Sequence, residues 1–436
     1  MMERILEEAK KVAEAAEVFM ISIEQTPVKF ENDRLKHISS KQSKTVALRI
    51  IKNGRIGYSI TNDLEDVKVL VNSAVETAEF GTTAKFQFPA TSEYPSVDIY
   101  DAAIESVSTE QMIKLGEELI ETVKEHTPDI TCEGGITKNT TTIKIINSEG
   151  VSAGYRKSAF GMGLEGTVIH DTDMLFVGED ESSCHPLTDT KSITSAVIKQ
   201  LEWAKEQGKA PDRATLPVIF TPSGVASTLV SPLISAFNGK NVYEGASPIA
   251  DKLGKAVFDK KFCLWDDASI PFCPGSRPFD DEGVATRSTT LIENGVPSAF
   301  YYDLQTAALA NTKSTGNGER SGARLPTASA SVFVIKPGNT GFEEMLADIK
   351  EGLVIEYLMG AEQGNVLGGD FSGNVLLGYK IENGKITGRV KNTMVSGNIY
   401  RVLKDIAAIG SDAKWIGGSF STPSLYIPAL SVSSKK

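Results

Sequence analysis

The stretch 216–239, LPVIFTPSGVASTLVSPLISAFNG, constrains the fold of this chain more than any other. Residues 216–220 read as a buried strand. Thr221-Pro-Ser-Gly224 then turns the chain into a helix. Its apolar positions Val225, Leu229, Val230, Leu233, Ile234 and Phe237 recur at helical spacing, and Gly239 stops it. Pro232 falls inside that pattern, so the helix is expected to kink there or to begin at Ser231. A strand feeding a helix is where many enzymes hold their chemistry. This helix carries no His, no Glu and no Cys.

The chain before it alternates helices and hairpins. The first residues predict an amphipathic helix with Ile5, Ala9, Val12 and Ala16 on one face, ending near Glu17. Strand-like runs follow at 18–23 and 28–30. The runs 45–51 and 55–60 flank Asn53-Gly54, a hairpin signal because both residues tolerate positive φ. A helix is expected over 63–80, with Leu64, Val67, Val71, Ala74 and Ala78 inward and Gly81 as its stop. Residues 82–105 read as a loop. Ser108 followed by Gln111 is a capping box, opening a helix with Met112, Leu115, Leu119 and Val123 inward. Short strands form a meander over 130–177, and a helix is expected over 190–207 with Ile193, Val197 and Leu201 inward. The segment 208–216, with Pro211, is the expected boundary between the halves.

The second half is richer in strands and glycine. Ile-Glu-Asn-Gly occurs at 292–295 and at 381–384, each a hairpin turn, and helices are expected over 342–355 and 399–409. Interleaved strands, helices and hairpins point to α+β. The expected organisation is an N-terminal α/β-type domain of hairpins and helices, 1–210, followed by a larger strand-rich mixed domain, 211–436. A length of 436 residues suits two domains.

Composition excludes some function classes. The net charge of -11, with no run of Lys and Arg to reverse it locally, argues against direct nucleic-acid binding. No apolar run is long enough to cross a bilayer, and the N-terminus lacks the apolar core of a signal peptide. Cys132, Cys184, Cys263 and Cys273 are scattered without a C-x-x-C pair, which fits a reducing compartment. A soluble cytoplasmic protein with no membrane partner is expected.

Several motifs invite chemistry, and each has a plainer reading. Gly161-Met-Gly-Leu-Glu-Gly166 fits G-x-G-x-x-G, but Thr167-Val-Ile-His170 continues it as strand, where dinucleotide binding needs a helix. His37, His126, His170 and His185 have no second His three or four residues away. Cys184-His185 is the single local pair of ligand types, and adjacent residues rarely face one ion. Asp266-Asp267 and Asp280-Asp281-Glu282 could serve acid–base catalysis, although such clusters more often cap turns. The loop 316–326 holds Arg320 and Arg324 among glycines. It could offer N–H groups and guanidinium to a phosphate or carboxylate, or be an ordinary loop. No G-x-S-x-G elbow is present.

A series of blocks resembles the TldD/PmbA family, also labelled modulators of DNA gyrase, and more closely its PmbA (TldE) branch. They are Thr221-Pro-Ser-Gly-Val-Ala-Ser227, the run 233–247, Ala250-Asp-Lys-Leu-Gly254, Asp266-Asp267, Phe279-Asp-Asp-Glu-Gly283 leading into 290–295, Thr315-Gly-Asn-Gly318, Gly369-Asp-Phe-Ser372 and Val395-Ser-Gly-Asn398; residues 48–60 also fit. The resemblance spans nearly the whole chain. It implies a heterodimeric metalloprotease that cuts unfolded or extended peptides, including leader removal. In it a TldD-like subunit binds zinc on a His-Glu-x-x-x-His helix, whose Glu serves as general base.

Here the matching positions are Ser231, Pro232 and Ala236, and residues 411–436 contain no cysteine to serve as a further ligand. The resemblance therefore implies a non-catalytic partner subunit that binds no cofactor itself, with zinc in a TldD-like homologue. It also implies a peptide-channel or structural role for Asp280, Asp281, Glu282, Gly283, Asn317, Gly318 and Arg320. Two other readings stay open. One is a self-sufficient metal-dependent peptidase drawing on Cys184, His185 or Asp280, and the other is a homodimeric peptide-binding module. A homodimer is also compatible with the first reading when the chain is alone.

Overall fold

The computed structural model describes residues 1–63, 66–91, 93–208 and 213–434. Its first half is organised on β1 (Ala15–Glu31), a strand of apolar and β-branched residues with partners on both sides. β2 (Arg34–Ile38) and β3 (Lys41–Lys52) pair with successive parts of one edge of β1, and β4 (Arg55–Thr61) extends the sheet beyond β3. β5 (Thr131–Asn147), β6 (Ser152–His170) and β7 (Asp173–Ser183) continue it on the other side. All seven strands are antiparallel. The expected meander is therefore β5–β7, and Gly161–Gly166 lies inside β6, as a strand.

Local signals set several elements. Asn53 (φ 50°) and Gly54 (φ 68°) make the two-residue turn between β3 and β4. α1 (Met2–Lys10) and α2 (Val67–Ala78) cover one part of the sheet through Ile5, Leu6, Leu70, Val71 and Ala74. Asp66 caps α2, accepting from Lys68 N and Val69 N at 3.1 Å each. Leu64 and Pro211 lie outside the described residues. α3 (Thr109–His126) opens on the expected capping box: Gln111 N donates to Ser108 Oγ, and Ser108 N to Gln111 Oε1. α4 (Lys191–Trp203) packs beside α3, with Ile193, Val197 and Leu201 inward.

Several expected boundaries move; the helices expected over 63–80 and 190–207 shorten to Val67–Ala78 and Lys191–Trp203. α1 ends at Lys10 rather than near Glu17, because residues 15–17 pair with residues 49–51 of β3 and tertiary pairing overrides the helical propensity of the Ala/Glu run. The runs 18–23 and 28–30 are one strand. In the second half the expected helix 342–355 stops at Ala347, and 351–359 is strand. Leu353, Val354 and Ile355 are buried on both faces, and a continuous apolar run has no period to distinguish strand from helix. The expected helix 399–409 keeps one turn, Ile399–Val402; Ala408–Ile409 pairs as a strand.

The second half is built on β8 (Thr215–Phe220). It leads into α5 (Pro222–Val225), a π-helical turn (Ala226–Val230) and α6 (Ser231–Phe237). The backbone is helical on both sides of Ser231. Pro232 has no N–H to donate to the Thr228 carbonyl four residues back, and the π turn directly before it takes up the mismatch. α7 (Leu304–Leu309) and α8 (Phe342–Ala347) follow.

β9 (Glu351–Met359) pairs in parallel with β8 and antiparallel with β10 (Asp370–Glu382). β11 (Lys385–Val390) hairpins onto β10 through Asn383-Gly384. β12 (Thr393–Asn398) pairs with β10 and with β13 (Leu425–Ser434), which returns to β8. β8–β13–β12–β10–β9 thus closes into a ring, a small barrel. α9 (Ile399–Val402) follows β12. A separate six-stranded sheet runs Val296–Pro297, Ser288–Glu293, Leu264–Asp267, Phe333–Ile335, Phe420–Thr422, Lys414–Ile416.

The helical segment 222–237 fills the space beside the barrel. Val225, Leu229, Leu233, Ala236 and Phe237 pack with Phe220, Phe333, Ile355 and Ile427 in one core. A second core joins the halves: Met112, Ile136, Phe160 and Val197 meet Ile219, Val354 and Tyr379 from the barrel's outer side. Among the described residues no helix is long and apolar enough to cross a membrane.

Candidate functional site

Thr221 opens the helical segment, its Oγ1 accepting from Gly224 N at 3.3 Å. Of the three residues singled out in this helix from the sequence, Ser231 is exposed while Pro232 and Ala236 are buried in the apolar core. A hydroxyl, a pyrrolidine and a methyl offer no imidazole and no carboxylate, so this helix does not fit a zinc ion.

Beside the start of the segment, Glu356 on β9 approaches Thr221, with Oε2 3.4 Å from Oγ1. Burial, reinforced by nearby Glu179, pushes its carboxyl up to about 7 from 4.5, against the pull of Lys414 and Thr221. The folded chain then keeps a proton that the unfolded chain releases. Stability accordingly falls as pH rises from about 4.5 to about 7 and levels off above. Glu356→Gln should flatten that slope and stabilise the protein at pH 8 by about 2 kcal/mol. Urea unfolding of both proteins at pH 5 and pH 8 measures it, and equal slopes would refute the assignment.

The Asp280-Asp281-Glu282-Gly283 block lies where the two halves meet. Arg49 of β3 donates from Nη1 to Glu282 Oε1 at 2.7 Å and from Nη2 to Glu17 Oε2 at 3.0 Å. Arg320 Nη2 donates to the other oxygen of Glu17 at 2.5 Å, and Arg320 N and Nε donate to Asp281 Oδ2 and its carbonyl at 2.8 and 3.1 Å. Glu17, Arg49, Glu282 and Arg320 are all buried, so carboxylates and guanidinium groups alternate through the interior of the interface.

Glu282 Oε2 also accepts from Leu304 N, at the start of α7. Asp280 accepts from Glu282 N, Val284 N and Gly318 N at 2.7–3.0 Å, closing the turn around Gly283 (φ 75°). Burial pushes Asp280, Asp281 and Glu282 upward. Arg277 pulls the two aspartates back, and Arg49 pulls Glu282 back. Phe86 and Phe88 stack on the Arg49 guanidinium at 4.9 and 5.0 Å.

Asn317 Nδ2 donates to Asp266 Oδ2 at 2.5 Å, while Asp266 Oδ1 accepts from Ser331 N and Val332 N. Six of the residues that sequence reasoning singled out (Asp280, Asp281, Glu282, Asn317, Gly318 and Arg320) thus join one buried network with Asp266. Glu17 and Arg49, which complete it, were missed. The available signal was a charge of each sign inside an apolar strand.

The loop 316–326 turns Arg320 inward to Glu17 and leaves Arg324 exposed. His185 Nδ1 lies 2.7 Å from Asp101 Oδ2, with its ring over Phe272, and the Cys184 thiol is buried. Among the described residues, Cys184, His185 and Asp280 do not form a metal-ligand cluster.

Two more of the blocks, 369–372 and 395–398, meet at a groove of about 550 Å³ between β12, the bulged part of β13 and α9. Phe371, Val402, Ile427 and Leu430 line its apolar part, with Asp370, Asn398 and Arg401 among its polar residues. Asn398 Nδ2 donates to Asp370 Oδ1 and to Gly368 O at 2.8 Å each, fixing this end of the barrel.

Family models of the PmbA/TldA metallopeptidases match three consecutive parts of the chain: domain 1 over residues 16–78, the central domain over 102–184 and the C-terminal domain over 213–434. A metalloprotease of Methanocaldococcus jannaschii is 27% identical over 436 aligned residues, covering 93% of this chain and 92% of that one. A metalloprotease PmbA homologue of Haemophilus influenzae is 24% identical, covering 93% and 90%. The crystal structure of TldE from Thermococcus kodakarensis superposes with a TM-score of 0.90 at 22% identity, covering 99% of this chain and 100% of that one. The same three domains in the same order, over nearly the full length, make this chain a member of the PmbA/TldD metallopeptidase family.

Proposed function

We propose that this chain is the PmbA/TldE-like, non-catalytic subunit of a TldD/TldE-type metallopeptidase, pairing with a metal-bearing TldD-like homologue to enclose extended or unfolded peptides. The observation that carries this reading is that the helical segment 222–237, onto which the resemblance places the motif at Ser231, Pro232 and Ala236, holds no imidazole, thiol or carboxylate, with Pro232 and Ala236 sealed in the core. In the partner, zinc would activate water for peptide hydrolysis. This chain would contribute walls, with the groove beside Phe371 and Arg401 as its candidate peptide-facing surface.

The Asp280–Gly283 block then serves as scaffold, since its carboxylates are committed to Arg49, Arg320 and backbone N–H groups. The division into 1–210 and 211–436 is supported by the seven-stranded sheet lying entirely in the first part and the barrel ring in the second. The four unbridged cysteines agree with a cytoplasmic setting.

The test is elemental mass spectrometry of the chain purified alone without chelator, followed by an unstructured-peptide assay with and without a TldD-like partner. Expected are no stoichiometric zinc and no cleavage alone, with cleavage in the mixture. Stoichiometric zinc, or chelator-sensitive cleavage by this chain alone, would put the self-sufficient peptidase in its place.

A further inference from the structure

Among the described residues, no strand neighbours the edge of the N-terminal sheet from Arg34 to Thr45. β2 and the start of β3 pair only with β1, and β4 covers β3 from Val46 onward. At ~3.3 Å per residue this is an open edge of roughly 40 Å. The chain as a whole is acidic, yet this segment, RLKHISSKQSKT, holds Arg34, Lys36, His37, Lys41 and Lys44 and no carboxylate. All five basic residues are exposed, and among the described residues the one ion pair along the edge joins Lys36 to Glu31 at 3.6 Å. The spacing kept these charges from standing out as a run; the strand brings them into line.

The edge also has an apolar component. Leu35 and Ile38 lie opposite Phe30 and Val28 in the sheet. Val28 and Phe30 are buried with Met112 and Leu119 of α3, whereas Leu35 and Ile38 remain 42% and 41% exposed. Unpaired main chain, a positive flank and two uncovered aliphatic side chains coincide on one strand.

We propose that this edge is a docking site for an acidic, extended polypeptide segment of another chain, added to the sheet as a further strand. Main-chain hydrogen bonding to the open edge supplies pairing, the lysines select carboxylates, and Leu35 and Ile38 receive alternate apolar side chains. Lysine on an edge keeps two identical edges apart, but admits a strand of opposite charge. Single-stranded nucleic acid fits less well, because residues 34–45 contain no Phe, Tyr or Trp on which bases stack. The site is independent of the metallopeptidase reading, and its test needs no partner and no catalysis.

The experiment is fluorescence anisotropy on the full chain with a labelled, acetylated (Glu-Val)5 peptide. Expected is saturable binding that weakens at least tenfold in Lys36→Glu/Lys41→Glu, whose exposed sites leave the melting temperature unchanged. The same peptide N-methylated at alternate residues, which cannot pair as a strand, should bind at least tenfold more weakly, and (Lys-Val)5 should not bind. Equal binding of the N-methylated peptide, indifference to the double charge reversal, or tighter binding of a ten-nucleotide oligo-dT would each overturn the proposal.

Discussion

Arg49→Met lowers the unfolding free energy by about 3–5 kcal/mol, the usual cost of removing one partner from a buried ion pair. The loss exceeds that of a surface pair because Arg49 bridges two carboxylates, Glu17 and Glu282, neither of which reaches solvent. Removing the guanidinium leaves Glu17 with Arg320 alone and Glu282 with only the Leu304 N–H on its buried carboxylate, so Glu282 must take up a proton or admit water. Methionine keeps an unbranched side chain of similar length but also removes the guanidinium from the Phe86 and Phe88 rings, so the measured loss includes that stacking. The double variant Arg49→Met/Glu282→Gln should recover about 1–2 kcal/mol, since it removes the charge left unpaired at Glu282. Urea unfolding followed by far-ultraviolet circular dichroism reads both. A loss below about 1 kcal/mol for the single variant would mean that the network is wet.

Gly224→Ala has the second large effect, a loss of about 2–4 kcal/mol from forced displacement of packed backbone. A β-carbon there would stand 2.3 Å from the Ile355 carbonyl oxygen, which belongs to the β9 main chain and cannot rotate away. Either the helix start or β9 must shift, and β9 is held in the barrel by β8 on one side and β10 on the other. The gain in helix propensity from glycine to alanine, about 1 kcal/mol, works against the loss without cancelling it. Gly341→Ala is the control: it directly precedes α8, and its β-carbon would meet nothing within 4 Å, so a change within about 0.5 kcal/mol is expected. Thermal melting of the two variants side by side tests the close approach directly.

What could be read from the residues alone was what local chemistry decides. The Asn53-Gly54 and Asn383-Gly384 turns, the Ser108–Gln111 cap and the strand-to-helix turn at Thr221 each depend on a few neighbouring residues, and each is present. The helix expected over 342–355 is wrong beyond Ala347 because burial on both sides of β9 erases the alternation that marks a strand. Barrel closure is equally invisible, since it depends on pairings such as Leu353 with Val218, set by the whole fold.

At the site the acidic block was evident as a motif, but its environment was not. Asp280–Glu282 reads as a possible catalytic cluster until Arg49 and Arg320 are seen to hold it, and Arg49 is 233 residues away from Glu282. A strand such as AAEVFMIS, with one carboxylate among apolar residues, carries the hint that the charge meets a partner inside.

That separation has a consequence for how the protein is made. During synthesis Glu17 and Arg49 emerge close together and can pair across β1 and β3 as soon as that hairpin forms. Glu282 follows only after 233 further residues, and at 5–20 residues per second the ribosome takes roughly 12–47 s to deliver it. Until then the nascent sheet exposes a half-satisfied arginine and the apolar surface around it. The first half of the chain is therefore expected to stay protease-sensitive through this interval, and limited proteolysis of ribosome-stalled chains ending before and after Glu282 tests it, equal protection counting against it.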